Sequence, residues 1–373
     1  MEKLPFVLRP VGLFLLATMF FYVGICQDSN ARRIFAFLYT VAALFCLASL
    51  HNLPPDLATF FLGWVVHTSG LLLVVESSPR RFSLSSVDEL KATFFLWINF
   101  RGISTRHDMD TPDHSSFRPR FGFAVRRTIR ILSLLAFNYG MTELLVKPTL
   151  RSLGIIRSDF SPAKQGVVPP VQRKDLILRL IVSTLWIWKT YVTLTVSHDV
   201  FSVFFVSVLQ WNDGSDWPSL FGSISDAVSI SRFWGSFWHR LHVLPFLRFQ
   251  PSVPYLGNCP PWICKNTMVR NGIRSFWIFL LSAVCHGALN HVVYGEAYLK
   301  AELRFFLCNW CVCLAETMWK RIRMGGEKHL DVSRAQTGAM GLLRRTGGYT
   351  FVLGFFFCTV PAWRYPLIFD STQ

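Results

Sequence analysis

Three apolar runs open this chain, near Val11–Ile25, Ile34–Leu50 and Leu57–Val75. Each is close to the roughly 20 residues that a helix needs to cross the hydrocarbon of a bilayer. Three more follow, near Ile273–Tyr294, Leu299–Trp319 and Tyr349–Phe369, together with a pair, Leu176–Val196 and Val200–Trp211, interrupted by His198 and Asp199. Ile131–Val146 reads as a marginal span, and Thr93–Phe100 is apolar but short, an interfacial or re-entrant piece. Only 16% of the residues are charged and 51% are hydrophobic, whereas a soluble chain is about a quarter charged. The expectation is therefore all-α: a polytopic membrane helix bundle of about 7–9 spans, with residues 1–373 forming one integral membrane domain. The first apolar run lacks a basic segment before it and reads as a retained anchor.

The formal net charge is +16. It has three readings: loop charge that orients the chain, attraction to anionic headgroups, and steering of an anionic cosubstrate such as a nucleotide thioester. No basic region stands apart from the spans, which excludes a nucleic-acid-binding domain. Arg32 and Arg33, and the ten Lys and Arg between Ser77 and Arg130, fall on one side of the first three spans. Cytosolic loops carry such an excess, so residues 77–130 read as a cytosolic basic segment. Residues 217–248 are aromatic and basic without being continuously apolar, and they read as an amphipathic helix lying on the membrane surface. Seven of the nine cysteines sit in apolar stretches, where a thiol behaves as a small hydrophobe. Cys308-x-x-Cys311-x-Cys313 lacks a second pair or a nearby His and reads as core; no metal site is expected.

Polar residues inside a spanning helix are costly and tend to be functional. In Ser275–Tyr294, Ser282, His286 and Asn290 recur at every fourth position and share one helix face. Small Ala283 and Gly287 lie beside them, which lets a helix or ligand approach closely. The competing reading is a hydrogen-bonded packing histidine. A second cluster, Ser231–Arg240, sets Phe233, Trp234, Phe237 and Trp238 on one helical face, with Arg232, His239 and Arg240 around it. There the alternative is an interfacial tryptophan belt with snorkelling arginines.

Arg-Phe-Trp-x-x-x-Trp-His, followed some forty residues later by Ser-x-x-x-His in an apolar helix, resembles the wax-synthase-like branch of the membrane-bound O-acyltransferases. Asn99-Phe-Arg101-Gly-Ile, in Trp97–Ile103, is similar to an element found upstream in that branch. The length and layout resemble fungal acetyltransferases acting on terpenoid and meroterpenoid alcohols. Ala283 stands where the family often has Gly, and related enzymes outside this branch have Asn at the second catalytic position. The resemblance implies a helical bundle of that family's type, in the endoplasmic reticulum. The activity would be transfer of an acyl group, acetyl from acetyl-CoA, onto a hydroxyl of a hydrophobic secondary metabolite, with no cofactor beyond acetyl-CoA as cosubstrate. Acyl transfer needs a base for the hydroxyl and donors for the developing oxyanion. A neutral imidazole in an apolar pocket suits the base, so His286 takes that role. His239 would donate to the thioester oxygen or position the acceptor. Ser282, Asn290, Trp234, Trp238, Asn99 and Arg101 would line the site, with Arg232 and Arg240 holding the coenzyme A phosphates. No Gly-x-Ser-x-Gly elbow exists, so direct transfer is expected. The expected partners are acyl-CoA, a hydrophobic alcohol and the bilayer.

Other classes fit less well. His51-x-x-x-x-Asp56 matches a short glycerolipid acyltransferase motif but lies in a tight turn that the charge rule puts in the lumen. Ten histidines are too few for a membrane di-iron enzyme with the usual eight-ligand set. A transporter of a small hydrophobic or anionic substrate is the alternative from another class, since buried polar stripes also mark substrate pathways; no inverted repeat supports it. A long-chain wax ester synthase is the alternative within the class.

Overall fold

The computed structural model describes residues 4–27, 29–52, 54–74, 87–102, 117–169, 171–250, 266–326 and 339–371. Among these, the elements are helices and turns with no strand: α1 (Leu4–Ile25), α2 (Ser29–Ala48), α3 (Pro55–Ser69), α4 (Val87–Ile98), α5 (Phe117–Gly140), α6 (Lys147–Ser152), α7 (Arg173–Val203), α8 (Ile230–Arg232), α9 (Val243–Arg248), α10 (Thr267–Tyr294), α11 (Leu299–Gly326) and α12 (Ala339–Ser371). Seven segments are helical, long and apolar enough to cross a bilayer: Leu8–Ile25, Asn30–Ala48, Leu57–Val74, Arg120–Ser152, Arg173–Val208, Thr267–Tyr294 and Gly341–Ser371. The chain is thus the all-α, polytopic membrane protein that its apolar runs predict. Pro55 starts α3, where a missing N–H costs nothing. The His51 ring bonds the Ala48 carbonyl at the preceding helix end (3.0 Å), the role of a terminal residue.

Four sequence expectations need correction. The marginal span at Ile131–Val146 is the middle of a longer helical path: α5 begins at Phe117, continues through a π turn at Met141–Val146 and ends with α6. The basic segment therefore ends inside a helix, and Arg120, Arg127 and Arg130 are helical residues. The pair of runs around His198 is one helix, α7, extended by a π turn at Phe204–Val208. Asp199 does not break it because its carboxylate, 0% exposed, takes Arg127 (2.6 Å) and Arg130 from α5. Residues 217–248 form no single helix; they divide into 3-10 turns at Gly214–Asp216 and Ile224–Asp226, then α8, a π turn at Phe233–Phe237, and α9. Pro218 and Gly222 lie in the breaks. Gly222 is required: a Cβ there would lie 2.1 Å from the Ser236 carbonyl, while its N–H donates to the Phe237 carbonyl (2.9 Å). Lastly, Leu299–Trp319 is helical but lies outside the seven segments apolar enough to span, since Glu302, Arg304 and Glu316 interrupt it. Much of residues 77–130 lies outside the described residues.

The chain divides into two compact units. The first comprises residues 1–102 and 241–310, the second 103–240 and 311–373. In the first, α1 packs on α2, and α10 packs on α3 and α9. Its core joins Phe21, Tyr39, Trp64 and Leu72 with a smaller group around Cys46, Phe61 and Leu289. In the second, α7 packs on α5 and α12. Its residues 157–166 are clasped to α7 by ion pairs of Lys164 with Asp159 (3.3 Å) and Asp175 (2.7 Å), and of Lys174 with Asp159 (2.6 Å). Cys46 is buried and Cys308 and Cys313 are half-buried, but Cys311 is exposed, so the cysteine run is not uniformly core.

Candidate active site

In the first unit, the predicted stripe lies on α10. Ser282 donates to the Ile278 carbonyl one turn back (2.8 Å), which engages its hydroxyl proton within the helix. His286 is half-buried and stacks on Phe306 of α11, with ring centroids 5.2 Å apart and planes 27° apart. One turn further, the Asn290 amide donates to the Glu302 carboxylate (2.7 Å). Asn290 is 5% exposed and Glu302 2%. These two contacts climb α10 as they descend α11, so the helices run antiparallel here. Their close approach rests on the small residues noted in the sequence: Ala283 is 0% exposed, and a Cβ on Gly287 would lie 3.2 Å from Leu299.

Glu302 is one residue that the sequence reading missed. It sits in the first turn of α11, where a carboxylate meets the positive end of the helix dipole. A glutamate within an apolar run is a signal as legible as the histidine. The pair makes a buried, charge-assisted hydrogen bond beside the imidazole, while the stacked Phe306 limits how the ring can turn.

The first unit also holds Asn99 and Arg101, in the half-buried turn that ends α4. Gly102 closes it with φ +61°, and a Cβ there would lie 2.5 Å from Leu244 of α9. Beside this turn lies a second residue that the sequence reading missed, His67, 0% exposed. Its Nε2 meets the Leu96 carbonyl (3.0 Å), its Nδ1 meets Arg248 Nη1 (3.0 Å), and its ring stacks on Phe100 (4.5 Å). Arginine only donates, so Nδ1 accepts, Nε2 carries the proton, and the ring is neutral. Half-buried His242 stacks on Phe246 (5.6 Å), and burial pulls its imidazole down to about 4.

His239 lies in the second unit, with Arg232, Trp234, Trp238 and Arg240. The aromatic segment is not the α-helical face that the spacing suggests. A π turn, with the Trp238 N–H on the Phe233 carbonyl (2.7 Å), brings those two rings into a stack at 5.1 Å. Trp238 also meets Trp186 of α7 (5.2 Å), and Trp234 packs among Trp186, Phe233 and Phe356. Both tryptophans are thus packed among rings. Half-buried His239 has its ring edge-on to Phe221 (5.7 Å). The segment is anchored by Glu316 of α11, whose carboxylate accepts from the N–H groups of Ile230 (2.9 Å) and Ser231 (2.8 Å). Arg232 is ion-paired with Asp226, while Arg240 is exposed.

Residues 217–308 match the membrane bound O-acyl transferase family. That stretch contains both His239 and His286. The similarity extends to fungal proteins. The chain is 25% identical over 207 residues to acetyltransferase spyB of Aspergillus fumigatus, covering 53% of this chain and 34% of that one. It is 25% identical over 209 residues to acetyltransferase eriL of Hericium erinaceus, covering 56% and 50%. It is 24% identical over 298 residues to acetyltransferase ataH of Aspergillus terreus, covering 74% and 89%. The chain thus spans half the length, or less, of the first two of these relatives. No solved structure matches it.

Proposed function

We propose that the chain is a membrane-bound O-acyltransferase that moves acetyl from acetyl-CoA onto a hydroxyl of a hydrophobic secondary metabolite, such as a terpenoid or meroterpenoid, in the endoplasmic reticulum membrane. The observation that carries this reading is His286: a half-buried imidazole in a stretch without charged residues, braced by Phe306, and within the segment matched to the acyltransferase family. His286 takes the proton of the acceptor hydroxyl as its oxygen attacks the thioester carbonyl. The tetrahedral oxyanion then collapses and coenzyme A leaves as the thiol, with the proton returned to sulfur. The Asn290–Glu302 bond holds the helix pair that carries the base.

The test uses membranes containing the full chain, radiolabelled acetyl-CoA and a panel of terpenoid alcohols. Ester should form, and His286→Ala should lower its rate by about 10²–10⁴-fold, the range for a general base. An unchanged rate in His286→Ala removes its role. Preference for a long-chain acyl-CoA makes the chain a wax ester synthase instead. Label crossing sealed vesicles without ester formation makes it a transporter.

A further inference from the structure

The excess positive charge of this chain needs an address, and several arginines of the described structure are engaged. Arg127 and Arg130 share Asp199, Arg232 holds Asp226, and Arg179 donates to the carbonyls of Lys164 (2.8 Å) and Gly166 (2.7 Å). Arg32 donates to the carbonyls of Leu71 (2.9 Å) and Leu72 (3.3 Å), at the end of α3. Arg248 differs. It is half-buried, and its Nη1 meets the Nδ1 of the neutral His67 (3.0 Å) and the His67 carbonyl (3.4 Å). No carboxylate among the described residues pairs with it. Burial pulls the guanidinium down to about 10, which leaves it charged at neutral pH. A half-buried cation without a counter-ion gains when an anionic ligand supplies one.

Its surroundings are built to hold it there. A Cβ at Gly70 would lie 3.0 Å from Arg248 Cδ, and one at Gly63 3.2 Å from His242 Cε1, so two glycines of one helical path make room for α9. Phe100, in the turn that carries Arg101, stacks on His67 on the other side. The donors on Nη1 are engaged, while Nε and Nη2, the two-pronged edge suited to a phosphate, make no hydrogen bond to the described residues.

We infer that Arg248, oriented by His67, is the grip of a phosphate-binding site in the first unit, and that its ligand is the phosphate of the acyl-CoA donor. This rests on the acyltransferase reading, and it gives the donor's phosphates to Arg248 in place of Arg232. Phosphate could also come from a lipid headgroup, so the test separates the two. The full chain is reconstituted in phosphatidylcholine nanodiscs, and binding of coenzyme A is measured by calorimetry for the wild type, Arg248→Gln, Arg248→Lys and His67→Phe. Melting temperatures identify any variant that fails to fold. Arg248→Gln should weaken coenzyme A about tenfold or more, as expected when a charge-assisted bond is lost; Arg248→Lys should recover part of this, and His67→Phe should weaken binding less than Arg248→Gln. The apparent KM for acetyl-CoA should rise in proportion, with that for the alcohol unchanged. Binding of phosphatidylserine vesicles that is lost in Arg248→Gln, without coenzyme A binding, assigns the site to lipid and overturns the donor assignment. Equal coenzyme A affinity in folded wild type and Arg248→Gln overturns the proposal. Arg248-dependent coenzyme A binding without ester formation keeps the site and removes the transferase reading.

Discussion

Replacing Asn290 by Ala takes the amide from a carboxylate that is 2% exposed. A hydrogen bond to a charged group contributes about 1.5–3 kcal/mol, and stranding a buried charge costs about 3–5 kcal/mol. Glu302 has further interactions, so its own replacement reports more than this contact. A double-mutant cycle isolates the pair. Asn290→Ala should destabilise the chain by about 3 kcal/mol and Glu302→Leu by about 2. The double variant should lose well under their sum, because neither polar group is left to strand the other. The expected coupling is about 2 kcal/mol. The measurement is reversible denaturant unfolding of the purified full chain in detergent micelles, followed by tryptophan fluorescence. Losses that add to within about 0.5 kcal/mol would show that the 2.7 Å contact carries no net energy, and the account of α10 and α11 as a pair locked beside His286 would fail.

Three further outcomes follow from particular contacts. Asp199→Asn removes the charge that two arginines share and turns one of its accepting oxygens into a donor, at a side chain that is 0% exposed, and should cost about 3–5 kcal/mol, whereas Arg130→Gln, at a side chain 35% exposed, should cost clearly less; thermal unfolding of both variants compares them. Gly102→Ala must hold φ near +61° and meet Leu244, so a loss of about 1–2 kcal/mol is expected, only partly recovered by adding Leu244→Ala, which relieves the contact but not the backbone strain. His242 is neutral when folded, with its imidazole at about 4 against 6.5 when exposed. The unfolded chain therefore binds the extra proton. Stability is full above about pH 6.5 and falls as pH drops toward 4, by at most about 3 kcal/mol. Denaturant midpoints measured across that window should lose most of this slope in His242→Gln.

The helical class and the stripe on α10 were legible because both are periodic: about twenty apolar residues, then three polar ones at four-residue steps. What was not legible depended on partners distant in sequence. The two runs around His198 look broken because an aspartate is costly in a span. Nothing local shows that Arg127 and Arg130, some seventy residues earlier, neutralise it. The aromatic segment 233–238 was placed on an α-helical face, but a π turn adds a residue to the period and pairs Phe233 with Trp238 instead. Asn99 and Arg101 were visible as a motif. The reason for Gly102 beside them appears only when Leu244 arrives from α9.

One physical argument connects these cases. In low-dielectric surroundings a charge persists only where something compensates for its lost hydration. Asp199 has two arginines, Glu302 has an amide, and Glu316 has two backbone N–H groups. Each of these carboxylates accounts for a structural join: α5 to α7, α10 to α11, and α11 to the start of α8. The positive side is not symmetric, because 38 Lys and Arg face 22 Asp and Glu. Solvent, headgroups and backbone carbonyls can hold the surplus at the surface. A half-buried guanidinium whose described partners, a neutral imidazole and a carbonyl, both sit on Nη1 keeps its other edge open to an anion. The compensation missing at Arg248 is therefore more informative about ligands than the exposed Arg240, which water satisfies, or Arg232, which Asp226 satisfies.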